Sequence, residues 1–331
     1  MILAISQKDM QQAVTMKEAI EAAKQAFAAS SSGGANIPLR TQIDVDDHKG
    51  VMLFMPGRIA ELDSLGVKIV SVFLDNPSRD LDTIQSVMLL QDEKTGETLS
   101  IMDGAYLTAL RTGAASGVAT MMLACEDASS VAIFGAGRQA RTQLEAVASV
   151  RKITKVIVYD PNPRAAQAYI REMREKLGSA VSFWAAENPA EAVEADIIVT
   201  ATVSSVPVFP GQKVKPGTHI NGIGSYKPDM RELDEDIVKR ADKVVVDNQK
   251  AALEEAGDLI IPMQEKVVGS DRIDAELGEI INKEKTGREK NSEITIFKTV
   301  GFAALDLAVS KMIYDRAVIE GVGKRIDLIG G

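Results

Sequence analysis

Cysteine and histidine are scarce in this sequence, and their scarcity excludes several kinds of site. Cys125 is the single cysteine among 331 residues, so no disulfide can form within the chain. The two histidines, His48 and His219, stand far apart, and no group of His, Cys and Asp residues has the spacing of metal ligands. No Gly-x-Ser-x-Gly segment is present either. We therefore expect neither a metal site nor a serine or cysteine nucleophile.

Long apolar runs and an excess of positive charge are also absent. No stretch approaches the roughly 20 apolar residues that span a bilayer, and the N-terminal MILAISQKDM has no basic start followed by an apolar core. We expect a cytoplasmic protein without a membrane partner. The 38 basic and 47 acidic residues give a formal net charge of −9, without the basic cluster that nucleic-acid binding requires. A small anionic substrate would therefore be held by local cations.

The stretch from Ser130 to Thr142, SVAIFGAGRQART, has the order buried strand, tight turn, helix. Gly135 permits the turn, Gly137 lets the backbone approach a pyrophosphate, and Ala140 lets the helix pack closely on the strand. A second predicted strand follows and ends at Asp160, where a carboxylate can accept hydrogen bonds from a ribose hydroxyl. Together these features predict a dinucleotide site.

The rest of the chain predicts two different sheets. Strand-like segments separated by polar turns occupy residues 2–5, 37–45, 51–55, 66–74, 84–91 and 98–102, and they favour an antiparallel sheet. A long helix is predicted over residues 104–124. From residue 130, strands at 131–134, 155–159, 181–184, 196–201, 218–222 and 243–246 alternate with helices at 139–150, 164–177, 189–193 and 233–240.

These patterns predict an α/β fold in which a Rossmann-type, doubly wound parallel sheet is inserted into a smaller α+β domain. A further strand at 294–297 and an amphipathic helix at 301–320 return the chain to the first domain. The predicted domains are 1–118 plus 298–331 for substrate binding, and 119–297 for dinucleotide binding.

Three cations stand in otherwise apolar surroundings in the first domain. Arg40 lies in PLRTQI, Lys68 in GVKIVSVF and Arg111 in YLTALRTGAASG, and Thr83 follows a turn nearby in the sequence. A buried cation requires an anionic partner, which a substrate carboxylate would supply. The alternatives are that each cation pairs with a structural Asp or Glu or reaches solvent.

At this point a family resemblance becomes specific. It is carried in order by PLR (38–40), MP (55–56), GVKIV (66–70), LRTGAASGVAT (110–120), GAGRQA (135–140), TAT (200–202), INGIGSYKPDMRELD (220–234), AALEEAGDL (251–259), AELGEII (275–281) and FKTVGFA (297–303). These segments resemble the ornithine cyclodeaminase/mu-crystallin family. The resemblance implies a homodimer formed through the antiparallel sheets. It also implies that Arg40, Lys68, Thr83 and Arg111 surround a substrate whose carboxylate the cations bind.

The resemblance also supplies a set of residues for the cofactor. They are Gly135, Gly137, Arg138, Gln139, Asp160, Arg164, Thr200, Thr202, Gly224, Ser225 and Lys298. The resemblance implies that the cofactor is a nicotinamide dinucleotide. Asp160 favours NAD(H) because a carboxylate repels a 2′-phosphate. NADP(H) is the alternative, since Arg164 is close in sequence.

Two positions depart from the cyclodeaminases of the family. Tyr226 occupies the position of their acid/base aspartate, and Leu53 that of a further glutamate. The GSYKPDMRELD segment and the C-terminal part are more similar to the Δ1-pyrroline-2-carboxylate and ketimine reductases. The resemblance implies hydride transfer to the C=N carbon of a cyclic ketimine carboxylate, which gives proline or pipecolate.

In this hypothesis Lys68, Arg111 and Tyr226 are the catalytic residues. Lys68 serves as carboxylate anchor or proton donor, and Tyr226 lines the pocket, since a neutral phenol is a weak donor. The alternatives are an alanine or other amino-acid dehydrogenase, an ornithine cyclodeaminase, and a non-catalytic NAD(P)H-binding protein of the crystallin type.

Overall fold

The computed structural model describes residues 1–38 and 40–328. Leu39 of the Pro-Leu-Arg segment and residues 329–331 of the predicted first domain lie outside the described residues. The chain divides into two compact units. Unit 1 contains Met1–Arg111 and the segment that begins at Ala303, and unit 2 is Thr112–Phe302.

The strands are β1 (Ile2–Ile5), β2 (Ala35–Asn36), β3 (Thr41–Val45), β4 (Gly50–Ile59), β5 (Ser64–Phe73), β6 (Ile84–Gln91), β7 (Thr98–Asp103), β8 (Ser130–Phe134), β9 (Lys155–Tyr159), β10 (Ser182–Ala185), β11 (Ile197–Thr200), β12 (His219–Gly222), β13 (Lys243–Val246), β14 (Ala275–Glu276), β15 (Thr295–Lys298) and β16 (Lys324–Ile326). The helices are α1 (Gln7–Ala13), α2 (Met16–Ser31), α3 (Gly104–Leu123), α4 (Arg138–Val150), α5 (Pro163–Leu177), α6 (Glu235–Arg240), α7 (Gln249–Glu255), α8 (Gly257–Gln264), α9 (Leu277–Ile281) and α10 (Ala303–Glu320).

Unit 1 is built on a sheet with the strand order β16-β1-β7-β6-β5-β4-β2, and β3 pairs with β4. Its ladders are antiparallel as predicted, except that β1 runs parallel to β7. Helix α10 packs on one face of this sheet, where Ile59, Met88 and Leu90 are buried. Helix α2 packs on α10 and begins at the Thr15 capping box, in which Thr15 and Glu18 satisfy each other's backbone N–H groups.

Unit 2 contains an entirely parallel sheet with the strand order β10-β9-β8-β11-β12-β15-β13-β14. Successive residues of β8 belong to different apolar clusters. Ala132 and Phe134 join one cluster, and Val131 and Ile133 join the other. Because successive side chains of a strand point to opposite faces, both faces of the sheet are covered, as a doubly wound fold requires. The predicted Rossmann-type sheet is therefore confirmed.

Two arginines complete the C-terminal end of α3, which the sequence does not indicate. Arg151 donates to the carbonyl oxygens of Thr120 (2.9 Å) and Ala124 (3.1 Å), and Arg288 donates to that of Leu123 (2.6 Å). These carbonyl groups have no partner within the helix, and a cation at a helix C-terminus is favourable.

Several short elements differ from the predictions. The helix predicted over residues 189–193 is wrong, because only a 3₁₀ turn, Pro189–Glu191, forms there. Nucleation of so short a helix is costly, and the Asn188 side chain instead caps a single turn. Helices α1, α7, α8 and α9 have five to eight residues each, too few to show a clear apolar period.

Within residues 1–38 and 40–328, no helix combines the length and the apolar run that a bilayer crossing demands.

His219 makes the stability of unit 2 sensitive to acid. The ring is fully buried in β12, with nitrogens 2.9 Å from Thr295 Oγ1 and 3.3 Å from Asn221 Oδ1. Burial, with Arg288 nearby, lowers the pKa of His219 from 6.5 to about 3. The unfolded chain therefore binds more protons between these values. The free energy of unfolding falls as the pH drops below about 6.5, by up to about 1.4 kcal/mol per pH unit for this group.

Replacement of His219 by glutamine is expected to flatten this dependence. Urea unfolding between pH 4.5 and 7.5 measures it, and the variant should lose less stability than the wild type between pH 6.5 and 4.5. His48→Gln is the control because His48 is exposed. Equal slopes for wild type and His219→Gln would contradict the assignment.

Candidate active site

The glycine turn, Gly135–Ala140, connects β8 to α4. Gly135 has φ +91° and donates its N–H to the Tyr159 carbonyl oxygen at 2.9 Å. A Cβ at this position would lie 2.8 Å from the Ala201 carbonyl oxygen. Both the backbone conformation and the closeness of the Ala201 segment therefore require glycine here.

Gly137 has a different reason to be glycine. It precedes α4 with φ −80°, and a Cβ added there would have no atom within 4 Å. No side chain caps this helix start, so its first N–H groups border open space. The buried Gln139 Oε1 has no hydrogen-bond partner among the described residues. An open approach to a helix N-terminus fits the pyrophosphate of a dinucleotide.

Arg141, which the sequence does not single out, braces this turn. Its Nη1 donates to the carbonyl oxygens of Ala136 (3.1 Å) and Gly137 (2.8 Å), and its Nε donates to Glu172. Arg138 is exposed at the first position of α4. The turn is thus held by α4 itself, independently of any ligand.

Asp160 lies directly after β9 and connects that strand end to the glycine turn. Its Oδ2 accepts from the Ala136 N–H and its Oδ1 from the Asn162 N–H, both at 2.8 Å. Asn162, rather than Asp160, caps α5, and Arg164 is exposed in the first turn of that helix. Each carboxylate oxygen retains a lone pair, so Asp160 can still accept from ribose hydroxyls.

Four of the predicted cofactor residues converge on Glu232, which sequence reasoning missed. Thr200 Oγ1 donates to Glu232 Oε2 at 2.8 Å, and the Gly224 N–H donates to the same oxygen at 2.6 Å. Thr202 donates both its N–H (2.6 Å) and its Oγ1 (2.8 Å) to Glu232 Oε1, and the Ser225 N–H reaches Oε2 at 3.2 Å. This fully buried carboxylate therefore holds together the segments that follow β11 and β12.

A buried ion pair lies beside Glu232. Lys298 Nζ is 2.8 Å from Asp258 Oδ2, and both side chains are fully buried. Asp258 Oδ1 accepts from the N–H groups of Glu232 (2.6 Å) and Leu233 (2.9 Å). Burial raises the pKa of Glu232, and the positive charge of Lys298 opposes that rise. In this structure Lys298 is thus part of an internal charge network.

In unit 1, two of the predicted substrate residues share one buried carboxylate. Lys68 on β5 and Arg111 on α3 are 2% and 7% exposed, and Asp306 on α10 is 1% exposed. Lys68 Nζ lies 2.7 Å from Asp306 Oδ2, and Arg111 Nε lies 3.1 Å from Asp306 Oδ1. Thr108 Oγ1 is 3.4 Å from Lys68 Nζ. Lys68 and Arg111 thus pair with a structural aspartate, which was one of the alternatives that the sequence left open. Sequence reasoning did not identify Asp306 as this partner.

This cluster has capacity for one more anion. Two cations face one carboxylate, and the buried Arg111 Nη1 has no hydrogen-bond partner among the described residues. Burial, with the charges of Arg111 and Arg40, lowers the pKa of Lys68 to about 8 against the opposing effect of Asp306. A substrate carboxylate would supply the missing negative charge.

The other predicted site residues are more accessible. Arg40 is exposed before β3, although its charge still acts on Lys68. Thr83 is half-buried before β6, and its carbonyl oxygen accepts from the Phe73 N–H at 2.9 Å. Tyr226 is 38% exposed after β12, with Lys227 Nζ 5.9 Å from the centre of its ring.

Comparison with known proteins extends the similarity over nearly the whole chain. The family model of the ornithine cyclodeaminase/mu-crystallin family matches residues 3–321. A Delta(1)-pyrroline-2-carboxylate reductase of Bacillus cereus is 42% identical over 326 residues, covering 98% of this chain and 100% of that protein.

Two solved structures are similar in both sequence and fold. The Thermococcus litoralis Delta(1)-pyrroline-2-carboxylate reductase in complex with NADH and L-proline is 44% identical, with a TM-score of 0.93 and coverage of 98% of this chain and 100% of that one. An archaeal alanine dehydrogenase dimer with bound NAD is 35% identical, with a TM-score of 0.91 and coverage of 99% of both chains.

Proposed function

The chain belongs to the ornithine cyclodeaminase/mu-crystallin family, and we propose that it is an NADH-dependent reductase of cyclic ketimine carboxylates. Its substrates are Δ1-pyrroline-2-carboxylate and Δ1-piperideine-2-carboxylate, and its products are proline and pipecolate. The observation that carries the proposal is the excess of buried positive charge around Asp306, where Arg111 Nη1 has no hydrogen-bond partner within residues 1–38 and 40–328, in a chain that also has the glycine turn. The T. litoralis enzyme, whose complex contains NADH and L-proline, supports the same chemistry.

The chain's own residues bind and orient the substrate. When NADH is bound, the hydride for the C=N carbon would come from its nicotinamide ring. Arg111, through Nη1, and Arg40 bind the substrate carboxylate. The remaining requirement is a proton on the nitrogen. A cyclic iminium already carries it, and a neutral imine takes it from Lys68 Nζ, whose pKa of about 8 suits proton donation near neutral pH.

Tyr226 favours imine reduction over cyclodeamination. An ornithine cyclodeaminase must manage the amino groups of its substrate, and the family's aspartate for that task is replaced by an exposed phenol. An amino-acid dehydrogenase must in addition add or remove water or ammonia at an open-chain imine, which also requires a base. The archaeal alanine dehydrogenase with 35% identity makes that activity the main alternative.

A substrate panel tests the proposed function. Purified protein is assayed with NADH and with NADPH against the two cyclic ketimines, pyruvate plus ammonia, and ornithine. We expect NADH oxidation with at least one ketimine and none with pyruvate plus ammonia. Turnover of pyruvate and ammonia alone would establish the dehydrogenase, ammonia release from ornithine would establish the cyclodeaminase, and NADH binding without turnover would establish a binding protein.

Replacement of Asp160 by asparagine is expected to lower the preference for NADH over NADPH by at least about tenfold. The variant loses the hydrogen bonds of a charged acceptor to the ribose and the repulsion of a 2′-phosphate. The ratio of kcat/KM for the two cofactors is the correct measurement, because the contact with Ala136 is changed equally for both. Arg164→Gln is the companion variant. An unchanged ratio for Asp160→Asn would contradict the assigned role.

We further propose a homodimer formed through the face of the unit 1 sheet opposite α10. Strand register places Phe54, Ile69 and Val87 side by side across β4, β5 and β6, whereas the neighbouring Lys68 faces Asp306 on α10. Val87 is 37% exposed, and Ile43 on β3 is 52% exposed. An exposed apolar sheet face of this kind indicates a protein interface.

The cytoplasmic location also stays a prediction of the sequence.

Light scattering after size exclusion tests this interface. The wild type is expected at twice the 35.5 kDa chain mass, and Val87→Lys is expected to shift it toward the monomer because the lysine charge would be buried in the interface. Val318→Lys is the matched control, since Val318 is 47% exposed on α10. A wild-type monomer, or a dimer that Val87→Lys leaves intact, would contradict the proposal.

A further inference from the structure

We propose that Asp306 is a positioning residue for ketimine reduction: its two oxygens orient Lys68 and Arg111 so that Arg111 Nη1 meets the substrate carboxylate and Lys68 Nζ meets the imine nitrogen. This inference rests on the proposed function and deepens it. Asp306 itself is assigned no contact with substrate or cofactor. It acts through the two cations.

The first support is the division of contacts between the two carboxylate oxygens. Oδ2 is 2.7 Å from Lys68 Nζ, and Oδ1 is 3.1 Å from Arg111 Nε. An ammonium group has three N–H donors, and those of Lys68 are directed to Asp306 and, at 3.4 Å, to Thr108, so one remains. Arg111 forms an ion pair with Asp306 through Nε, and its buried Nη1 has no hydrogen-bond partner in the part of the chain that the structure describes. Arg111 Nη1 can thus donate to the substrate carboxylate, and the remaining N–H of Lys68 can donate to the imine nitrogen.

The second support is the location of Asp306 in the fold. It lies in the first turn of α10, where the positive end of the helix dipole favours a carboxylate. Ser64 Oγ, at the start of β5, donates to the carbonyl oxygen of the next residue, Leu307, at 3.0 Å. This buried hydrogen bond therefore connects the strand that carries Lys68 to the helix that carries Asp306. A side chain that is 1% exposed on such a helix has little freedom to reorient.

The third support is the charge balance around Lys68. The charged groups that act on it are Asp306 from α10, Arg111 from α3 and Arg40 from the segment before β3. Asp306 is the only anion of these three, and it opposes the loss of the Lys68 proton that burial and the two arginines promote. Removal of the Asp306 charge would therefore lower the pKa of Lys68.

A purely structural role predicts a different outcome from a positioning role. If Asp306 only anchors α10, its replacement lowers stability and the amount of active enzyme without moving the pH profile. If Asp306 instead positions Lys68 and keeps it protonated, replacement of Asp306 moves the alkaline limb of the kcat/KM profile to lower pH. Lys68 deprotonates along this limb. The titration of the substrate is common to all variants, so only the difference between them is diagnostic.

The test compares Asp306→Asn, Asp306→Glu and wild type, with kcat/KM for Δ1-pyrroline-2-carboxylate measured from pH 6 to 10 at saturating NADH. For Asp306→Asn we expect a fall of about 100-fold at neutral pH and a shift of the alkaline limb by about one pH unit or more to lower pH. Asp306→Glu, which keeps the charge, is expected to retain the wild-type limb. The dissociation constant of NADH should stay unchanged.

Two further variants keep the proposal testable if Asp306→Asn does not fold. Lys68→Met and the double variant Lys68→Met/Asp306→Asn are expected to share one pH profile of kcat/KM, because Asp306 acts on the alkaline limb through Lys68. Asp315→Asn is the matched control on α10, since Asp315 forms a partly exposed ion pair with Lys311 at 2.5 Å. It should keep the wild-type pH profile.

The possible failures are distinguishable. A wild type without ketimine reductase activity would contradict the proposed function. If the wild type is active and Asp306→Asn has the same alkaline limb as the wild type, only the positioning role would be contradicted. A double variant whose alkaline limb still moves relative to Lys68→Met would show that Asp306 acts on the pH profile independently of Lys68 and would also overturn the inference.

Discussion

Replacement of Lys68 by methionine is expected to lower kcat/KM for the cyclic ketimine by about 1,000-fold while the dissociation constant of NADH stays unchanged. The variant loses the proton donor for a neutral imine and one positive charge beside the substrate carboxylate, and positioned proton donors contribute factors of this size. Methionine preserves most of the apolar stem of lysine. Asp306 keeps Arg111 as a partner at 3.1 Å, so no buried carboxylate is left uncompensated. Steady-state kinetics and fluorescence titration with NADH measure the two quantities.

Lys49→Met is the matched control for Lys68→Met. Lys49 also pairs with an aspartate, Asp75, at 3.2 Å, but in an exposed ion pair of the same unit. Exposed pairs contribute little to stability, and we expect wild-type kinetics. If Lys68→Met retained kcat/KM within about tenfold, Lys68 could be neither proton donor nor essential carboxylate anchor.

Two alanine substitutions in the glycine turn are expected to separate stability from cofactor affinity. Gly137→Ala should weaken NADH binding by about 100-fold, equivalent to one or two hydrogen bonds to a charged group, because the new Cβ occupies the open approach to the helix start. It should change the free energy of unfolding by less than about 1 kcal/mol. Gly135→Ala should instead lower that free energy by about 2–4 kcal/mol, since φ +91° and a Cβ only 2.8 Å from the Ala201 carbonyl oxygen both oppose it.

Gly178→Ala controls for the effect of positive φ alone. Gly178 has φ +82° and no atom within 4 Å of an added Cβ, and it lies at the end of α5. We expect a loss of about 1–2 kcal/mol and unchanged NADH affinity. Denaturant unfolding and calorimetric titration measure both quantities for all three variants. Wild-type NADH affinity in Gly137→Ala would show that the pyrophosphate does not approach the backbone at this position.

Sequence periodicity predicted most of the elements that position the site. Strands β6, β9 and β13 have the predicted bounds, and β8 with the glycine turn has its predicted form within one residue. Such elements follow local rules, because alternation and turn residues depend on neighbours in the chain. The short helices α7–α9 were missed because five to eight residues do not establish a period.

The buried carboxylates show where sequence reasoning stops. Glu232, Asp258 and Asp306 were not predicted as site residues, although each lies in a segment that carries the family resemblance or borders one. A lone acidic residue in a sequence is ordinarily a solvated one. Its importance follows from the partners that the fold brings to it: five donor groups for Glu232, a buried lysine for Asp258, and two cations for Asp306.

By itself, the sequence determined the residue types available for chemistry: a glycine turn with an acidic residue after the next strand, three cations in apolar segments, and only one cysteine and two histidines. These properties reside in residue type and spacing, which the chain carries before it folds. Only the tertiary structure decided how the charges are balanced. The pairing of Lys68 and Arg111 with Asp306 joins residues from β5, α3 and α10 that are 43 to 238 positions apart in the sequence. Burial then makes that single shared carboxylate decisive, because a charge removed from water depends entirely on its few neighbours.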